Sequence, residues 1–155
     1  MVINMKVEKR LEELGITLPE VSPPKAMYLP LKRAGNLLFV SGHLPVKEDG
    51  TIYTGKLGKE RGVEYGQAAA RRCMISMLAT LKAELGDLDR VKSVVKLLSL
   101  VACEDGFDQP HVVTNAASEL LFDIFGDAGR HARSALGTNQ LPLGATVEIE
   151  AIIEV

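Results

Sequence analysis

The sequence predicts an α+β domain in which two helices cover one face of a single β-sheet. Two observations lead to this fold class. Apolar residues recur at helical spacing in two long stretches, residues 63–85 and 108–125. Short apolar runs bounded by Gly and Pro, as is typical of strands, lie before, between and after these stretches. Two helices suffice to cover one face of one sheet, so no second domain is needed.

Composition limits both the size of the fold and the class of partner. A chain of 155 residues with 46% hydrophobic and 25% charged residues fits one globular domain. A net charge of −2 and the absence of Trp argue against a general nucleic-acid binder. No apolar run reaches membrane-spanning length, so no membrane partner is predicted. Residues 1–18 are charged and lack a signal-peptide core. Cys73 and Cys103 lie in apolar segments, which fits a reducing compartment and predicts a cytoplasmic protein.

The N-terminal segment, residues 1–26, is predicted to be an extension that carries one short helix. Val7, Leu11 and Leu14 form an apolar stripe over residues 6–14, and Gly15 ends it. A stripe this short does not support an isolated helix, so we expect it to pack on the body of the protein. Three prolines then mark an extended connector that leads into the domain, residues 27–155.

The first strands are predicted from short apolar runs. Residues 28–31 form a candidate strand that contains Pro30, so it belongs at a sheet edge or a bulge. After a turn at residues 34–36, residues 37–41 predict a buried strand that ends at Gly42. Residues 52–53 are a further short strand candidate inside a Gly-rich stretch.

The second half alternates helices and strands. The helix at 63–85 is followed by a long strand at 91–102, whose second half is apolar on both faces and is therefore central. After the helix at 108–125, two strand-like runs flank a Pro/Gly connection. In the last run, Glu148, Glu150 and Ile152 share one face, because side chains alternate along a strand.

Two carboxylates on one face repel each other unless a cation or a proton lies between them, and Arg133 in the preceding run is the candidate cation. If the last two strands pair as a hairpin, Arg133 and Glu148 lie opposite each other. If the helix at 108–125 is instead a βαβ crossover, the strands on either side of it are parallel. In either arrangement, Arg133 has two interpretations. It is half of a structural ion pair, or its forked guanidinium binds a small carboxylate. His43, His111 and His131 lack metal-ligand spacing and are predicted to be surface or loop residues.

Several short motifs of residues 27–155 occur in the same order in one known family. They are Ser41-Gly42-His43-Leu44-Pro45, Asn115 in the second helix, Ala132-Arg133-Ser134, Leu141-Pro142 and Val147-Glu148-Ile149-Glu150-Ala151. On these motifs the chain resembles the RidA/YjgF family of enamine/imine deaminases, formerly called L-PSP endoribonucleases. The resemblance implies a chorismate-mutase-like fold with two helices on a six-stranded mixed sheet, assembled as a homotrimer. The last strand then lies inside the sheet, which favours the crossover.

The resemblance also implies the site and its chemistry. Arg133 corresponds to the arginine that grips the substrate carboxylate and Glu148 to the glutamate that positions water. Tyr28, Gly42 and Asn115 correspond to residues that line the intersubunit cleft, and neither a metal nor a cofactor is needed. The implied reaction is hydrolysis of a 2-aminoacrylate-type enamine to a 2-oxo acid and ammonia. The alternatives are a trimer that binds a small carboxylate without turnover, and an endoribonuclease or translation inhibitor.

The chain departs from the family pattern at two positions beside Arg133. His131 stands where Pro is usual, and Ala135 stands where many members carry Cys. These departures, with the added N-terminal segment, indicate a longer subgroup of the family.

Overall fold

The computed structural model describes residues 6–155, so the first five residues of the predicted extension lie outside the described chain. Its helices and strands follow in the order α1 (Lys6–Glu13), β1 (Leu31–Ala34), β2 (Leu37–His43), α2 (Val63–Leu85), β3 (Ser93–Ala102), α3 (Pro110–Phe125), β4 (Ala132–Thr138) and β5 (Val147–Glu154). No helix within residues 6–155 is long and apolar enough to cross a membrane.

The five strands form one mixed sheet in the spatial order β1-β2-β5-β3-β4. Strands β3 and β4 are parallel, and the other neighbours are antiparallel. Helix α3 therefore makes the crossover between β3 and β4, as parallel neighbours require. The crossover prediction is confirmed, and the hairpin alternative is wrong because β3 lies between β4 and β5.

The prediction of six strands is wrong, because two short candidates do not form strands as expected. Around residues 52–53 there are only two single bridges, one between Val46 and Ile52 and one between Thr54 and Ala145. The candidate at residues 28–31 joins the sheet only from Leu31 onward, where β1 begins. Pro30 has no N–H to donate to a ladder, so the strand begins after it.

Helices α2 and α3 cover one face of the sheet, and their limits follow the sequence signals. Gly86 ends α2 with a φ of 75°, and its N–H donates to the Lys82 carbonyl at 2.8 Å. On β5, Val147 and Ile149 point toward the helices and are fully buried. In the described chain no helix lies over the opposite face.

Helix α1 packs on the body of its own chain, as its apolar stripe predicted. Val7 and Leu11 are buried in the main core, and Leu14 packs against it. The Asp89 carboxylate accepts hydrogen bonds from the backbone N–H groups of Lys6 and Val7, both at 2.9 Å. These bonds satisfy two of the free N–H groups at the helix N-terminus. Glu8 forms an ion pair with Lys82 of α2.

Candidate functional site

Arg133 lies on the helix-covered side of the edge strand β4. It pairs in register with Leu97 of β3, whose side chain is fully buried, so both side chains point toward the helices. The guanidinium donates to the Asn115 Oδ1 at 2.7 Å, to the Ser118 Oγ at 3.0 Å and to the His111 carbonyl at 3.2 Å. All three acceptors belong to α3, so this helix fixes the orientation of the guanidinium.

The Arg133 side chain borders an open groove between α3 and β4, which we call the α3–β4 groove. Its volume is about 410 Å³, and it is lined by Asn115, Ser118, Glu119, Phe122, Asp123, Arg130, His131 and Arg133. A guanidinium has five N–H donors. The three bonds to α3 leave two N–H groups for a small anion in the groove. Burial lowers the pKa of the His131 imidazole, and the Arg133 charge lowers it further.

Glu148 lies on the other face of the sheet, which carries no helix in the described chain. Its neighbours Val147 and Ile149 point into the core, so Glu148 and Glu150 point away from it. The register pairs Glu148 with Leu100 of β3. Partial burial raises the pKa of the Glu148 carboxyl, and the nearby Glu150 charge raises it further. A carboxyl with a raised pKa is better suited to exchange a proton near neutral pH.

Gly42 and Glu148 lie in contact across strands β2 and β5. The ladder shifts register between Val40 and His43, which places a β-bulge at Ser41 and Gly42. A Cβ atom at Gly42 would lie 2.3 Å from the Glu148 Oε1, so any side chain there would force the carboxylate to move. Glycine at this position therefore allows the carboxylate to pack directly over the bulge.

Tyr28 precedes β1, and its side chain is 58% exposed. The segment around it is held to the bulge by Ser41. The Ser41 hydroxyl donates to the Leu29 carbonyl at 2.7 Å, and the Ser41 N–H donates to the Pro30 carbonyl at 2.9 Å. The segment that carries Tyr28 thus lies beside the bulge.

The predicted site residues fall into two groups within one chain. Arg133 and Asn115 form a direct hydrogen bond in the α3–β4 groove. Gly42 and Glu148 meet on the open sheet face, with the Tyr28 segment tied to them. The expected contact between Arg133 and the glutamates does not form within the chain, either as an ion pair or as a pocket. The reason is topological, because β3 separates β4 from β5 and the two side chains point to opposite faces.

Sequence reasoning missed two contributors to these groups. Ser118 lies one turn beyond Asn115 on α3, and this spacing of three residues could have identified it as a second oxygen facing Arg133. His43 was predicted to be a surface or loop histidine, and that prediction is wrong. It ends β2, and its imidazole bonds the buried Thr80 of α2. The bulge that turns it inward leaves no sequence signal.

Comparisons with known proteins give a consistent result. The family model described as "YjgF/chorismate mutase-like, putative endoribonuclease" matches residues 8–154. The chain is 44% identical over 155 residues to Protein TCP17 of Trypanosoma cruzi, covering 99% of this chain and 97% of the relative. It is 34% identical over 122 residues to the RutC family protein y4sK of Sinorhizobium fredii, covering 78% and 81%. The crystal structure of the protein Atu1372 from Agrobacterium tumefaciens superposes with a TM-score of 0.90 at 44% identity, covering 98% and 96%.

Proposed function

Because this chain belongs to the YjgF/chorismate mutase-like family, we propose that it hydrolyses 2-aminoacrylate-type enamines in clefts between the subunits of a homotrimer. The products are a 2-oxo acid and ammonia. One observation carries the proposal. The Arg133 guanidinium is fixed by three oxygens of α3 beside an open groove, with two N–H groups free to hold a carboxylate.

The need for more than one subunit follows from the separation of the two groups. Arg133 faces the groove at the sheet edge, whereas Glu148 lies on the open face in the middle of the sheet. That open face carries apolar side chains that one chain leaves uncovered, including Phe39 at 45% exposure and Leu136 at 44%. A head-to-tail contact between copies would cover this face and set the Arg133 edge of one subunit against Glu148 of the next. Three such contacts close a ring.

The reaction requires little from the protein beyond orientation of the substrate and of the attacking water. The enamine first tautomerises to an imine, whose carbon is open to attack by water. Arg133 would hold the carboxylate beside that carbon with a charge-assisted hydrogen bond. Glu148 would accept a proton from the attacking water and pass it to the nitrogen, which gives the carbinolamine. It would then carry the proton of the new hydroxyl to the same nitrogen, so that the C–N bond breaks and the 2-oxo acid and ammonia are released. Gly42 would leave room for the Glu148 carboxylate over the bulge.

The first test compares two variants in a ligand-binding assay and a turnover assay. Arg133→Ala should abolish binding of a 2-oxo acid, measured by calorimetry, because it removes the fixed guanidinium. Glu148→Gln keeps the side-chain shape and should keep binding. Its ammonia release from freshly generated 2-aminoacrylate should fall by about 10²-fold, the usual cost of losing an acid/base.

Each variant has a matched control on the same element or surface. Arg130→Ala removes a second guanidinium from the same groove, and Glu150→Gln neutralises the other glutamate on the open face of β5. Both controls should retain binding and turnover. If Glu148→Gln keeps full turnover, Glu148 is structural and water is activated elsewhere. A wild-type protein that binds the 2-oxo acid but releases no ammonia would instead favour the carboxylate-binding trimer. RNA cleavage at low salt without ammonia release would instead favour the endoribonuclease alternative.

A further inference from the structure

His43 lies between the β-bulge and helix α2, and both of its ring nitrogens have partners. Nδ1 lies 2.7 Å from the Ser41 carbonyl, and Nε2 lies 2.8 Å from the Thr80 Oγ1. A carbonyl can only accept, so Nδ1 carries the proton and donates it to Ser41. In the neutral ring, Nε2 then accepts a hydrogen bond from the Thr80 hydroxyl. Burial lowers the pKa of His43, which favours this neutral form.

The bulge explains why His43 points inward. Val40 pairs with Ala151 and His43 with Ile149, so three steps along β2 match two steps along β5. The extra residue inverts the alternation of side chains after Val40. Without it, residue 43 would project from the open face, because side chains alternate along a regular strand. With it, His43 reaches Thr80 while Gly42 is placed beside Glu148.

The hydrogen bonds of His43 continue through Ser41 to the segment that carries Tyr28. Ser41 accepts from His43 through its carbonyl, donates to the Leu29 carbonyl through its hydroxyl and donates to the Pro30 carbonyl through its N–H. A continuous chain of hydrogen bonds therefore runs from the buried Thr80 to the residues just after Tyr28. It passes through the bulge that faces Glu148.

We propose that His43 is a positioning residue, which locks the Ser41–Gly42 bulge and the Tyr28 segment onto helix α2 and so sets the geometry around Glu148. This role rests on the proposed function, since it concerns the Glu148 half of the same site. It is separate from carboxylate binding, because Arg133 is held by α3 on the other face.

The test uses two substitutions of similar size. His43→Leu fills the same space but removes both hydrogen bonds. His43→Gln keeps a donor and an acceptor with a separation close to that of the two imidazole nitrogens, so it should restore both bonds. Thr80→Val removes only the bond to Nε2 and should give an intermediate effect.

We expect His43→Leu to lower kcat for ammonia release by about tenfold or more, because small misplacements of a reacting group are costly. The Kd of a 2-oxo acid should change by less than about threefold, since Arg133 is untouched. His43→Gln should recover most of the lost kcat. A folded His43→Leu variant with wild-type kcat would overturn the proposal, and so would a His43→Gln variant as impaired as His43→Leu.

Amide hydrogen exchange distinguishes this proposal from the proposed function. The Ser41 N–H, which is bonded to Pro30, should exchange at least about tenfold faster in His43→Leu and at the wild-type rate in His43→Gln. If the wild-type protein releases no ammonia, this exchange pattern would still support the positioning role, and the failure would count against the deaminase function alone. Unchanged exchange in His43→Leu would contradict the positioning role whatever the activity.

Discussion

Replacing Gly42 by Ala is the most direct way to disturb Glu148 without changing it. The added methyl would lie 2.3 Å from the Glu148 Oε1, 2.9 Å from its Cδ and 3.0 Å from its Cγ. Because non-bonded carbon contacts are favourable only near 3.5 Å, the carboxyl must move by about 1 Å. A displacement of this size at a reacting group costs about 10²-fold in rate.

The effect on stability should be much smaller than the effect on rate. Overpacking costs about 1–3 kcal/mol in a closed core, but the end of Glu148 faces the proposed cleft, into which it can rotate. We therefore expect about 1 kcal/mol from Gly42→Ala, measured by denaturant unfolding. The turnover assay is ammonia release from 2-aminoacrylate, with kcat compared to that of the wild-type protein.

Double variants separate the two effects of Gly42→Ala. In the Glu148→Gln background, Gly42→Ala should cost no further activity, because the displaced group has already lost its acid/base function. In the Glu148→Ala background, the atoms that clash are gone, so Gly42→Ala should cost almost no stability. Wild-type kcat in Gly42→Ala alone would refute the reasoning that the position of the Glu148 carboxyl matters.

Three further predictions follow from the same geometry. Arg133→Lys should recover little of the 2-oxo acid binding lost in Arg133→Ala, measured by calorimetry, because an ammonium cannot bridge three α3 oxygens and a carboxylate. Burial and the Glu150 charge raise the pKa of Glu148 in the folded state. Ionisation of Glu148 therefore destabilises the folded protein as pH rises through that pKa. Glu148→Gln should thus raise Tm at about pH 8 but leave Tm unchanged below about pH 4. Deleting residues 1–18 should lower unfolding free energy by about 3 kcal/mol or more, through loss of buried Val7 and Leu11, yet leave trimers in light scattering.

Local signals in the sequence predicted the helices well. The apolar periodicity and Gly86 gave the limits of α2, and Gly126 gave the end of α3. The predicted start at residue 108 is two residues early, because α3 begins at Pro110. These features depend on residues close together in the chain, so they can be read without knowing the pairing of strands. Element order left the parallel crossover of β3 and β4 and the hairpin equally open, and only the family resemblance favoured the crossover.

The relation between Arg133 and Glu148 could not be predicted in the same way. Alternation assigns side chains to faces within one strand, but it does not say which face of one strand matches which face of another. That match depends on long-range register, which sets Arg133 beside Leu97 and Glu148 beside Leu100. The orientation of His43 could not be predicted either. The one-residue bulge in β2 inverts the alternation of side chains, and no characteristic residue marks the bulge in the sequence.

The division of the site between two subunits is the central claim, and mixed trimers test it most directly. Arg133→Ala and Glu148→Gln chains, each with its own affinity tag, are co-expressed, and trimers containing both are purified through the two tags. In a closed ring of three head-to-tail contacts, every such trimer has one cleft with an intact Arg133 from one chain and an intact Glu148 from its neighbour. The account predicts about one third of the wild-type kcat for ammonia release in these trimers, although each parent variant is nearly inactive. Mixed trimers no more active than their parents would contradict the account, because both residues would then have to act from the same chain.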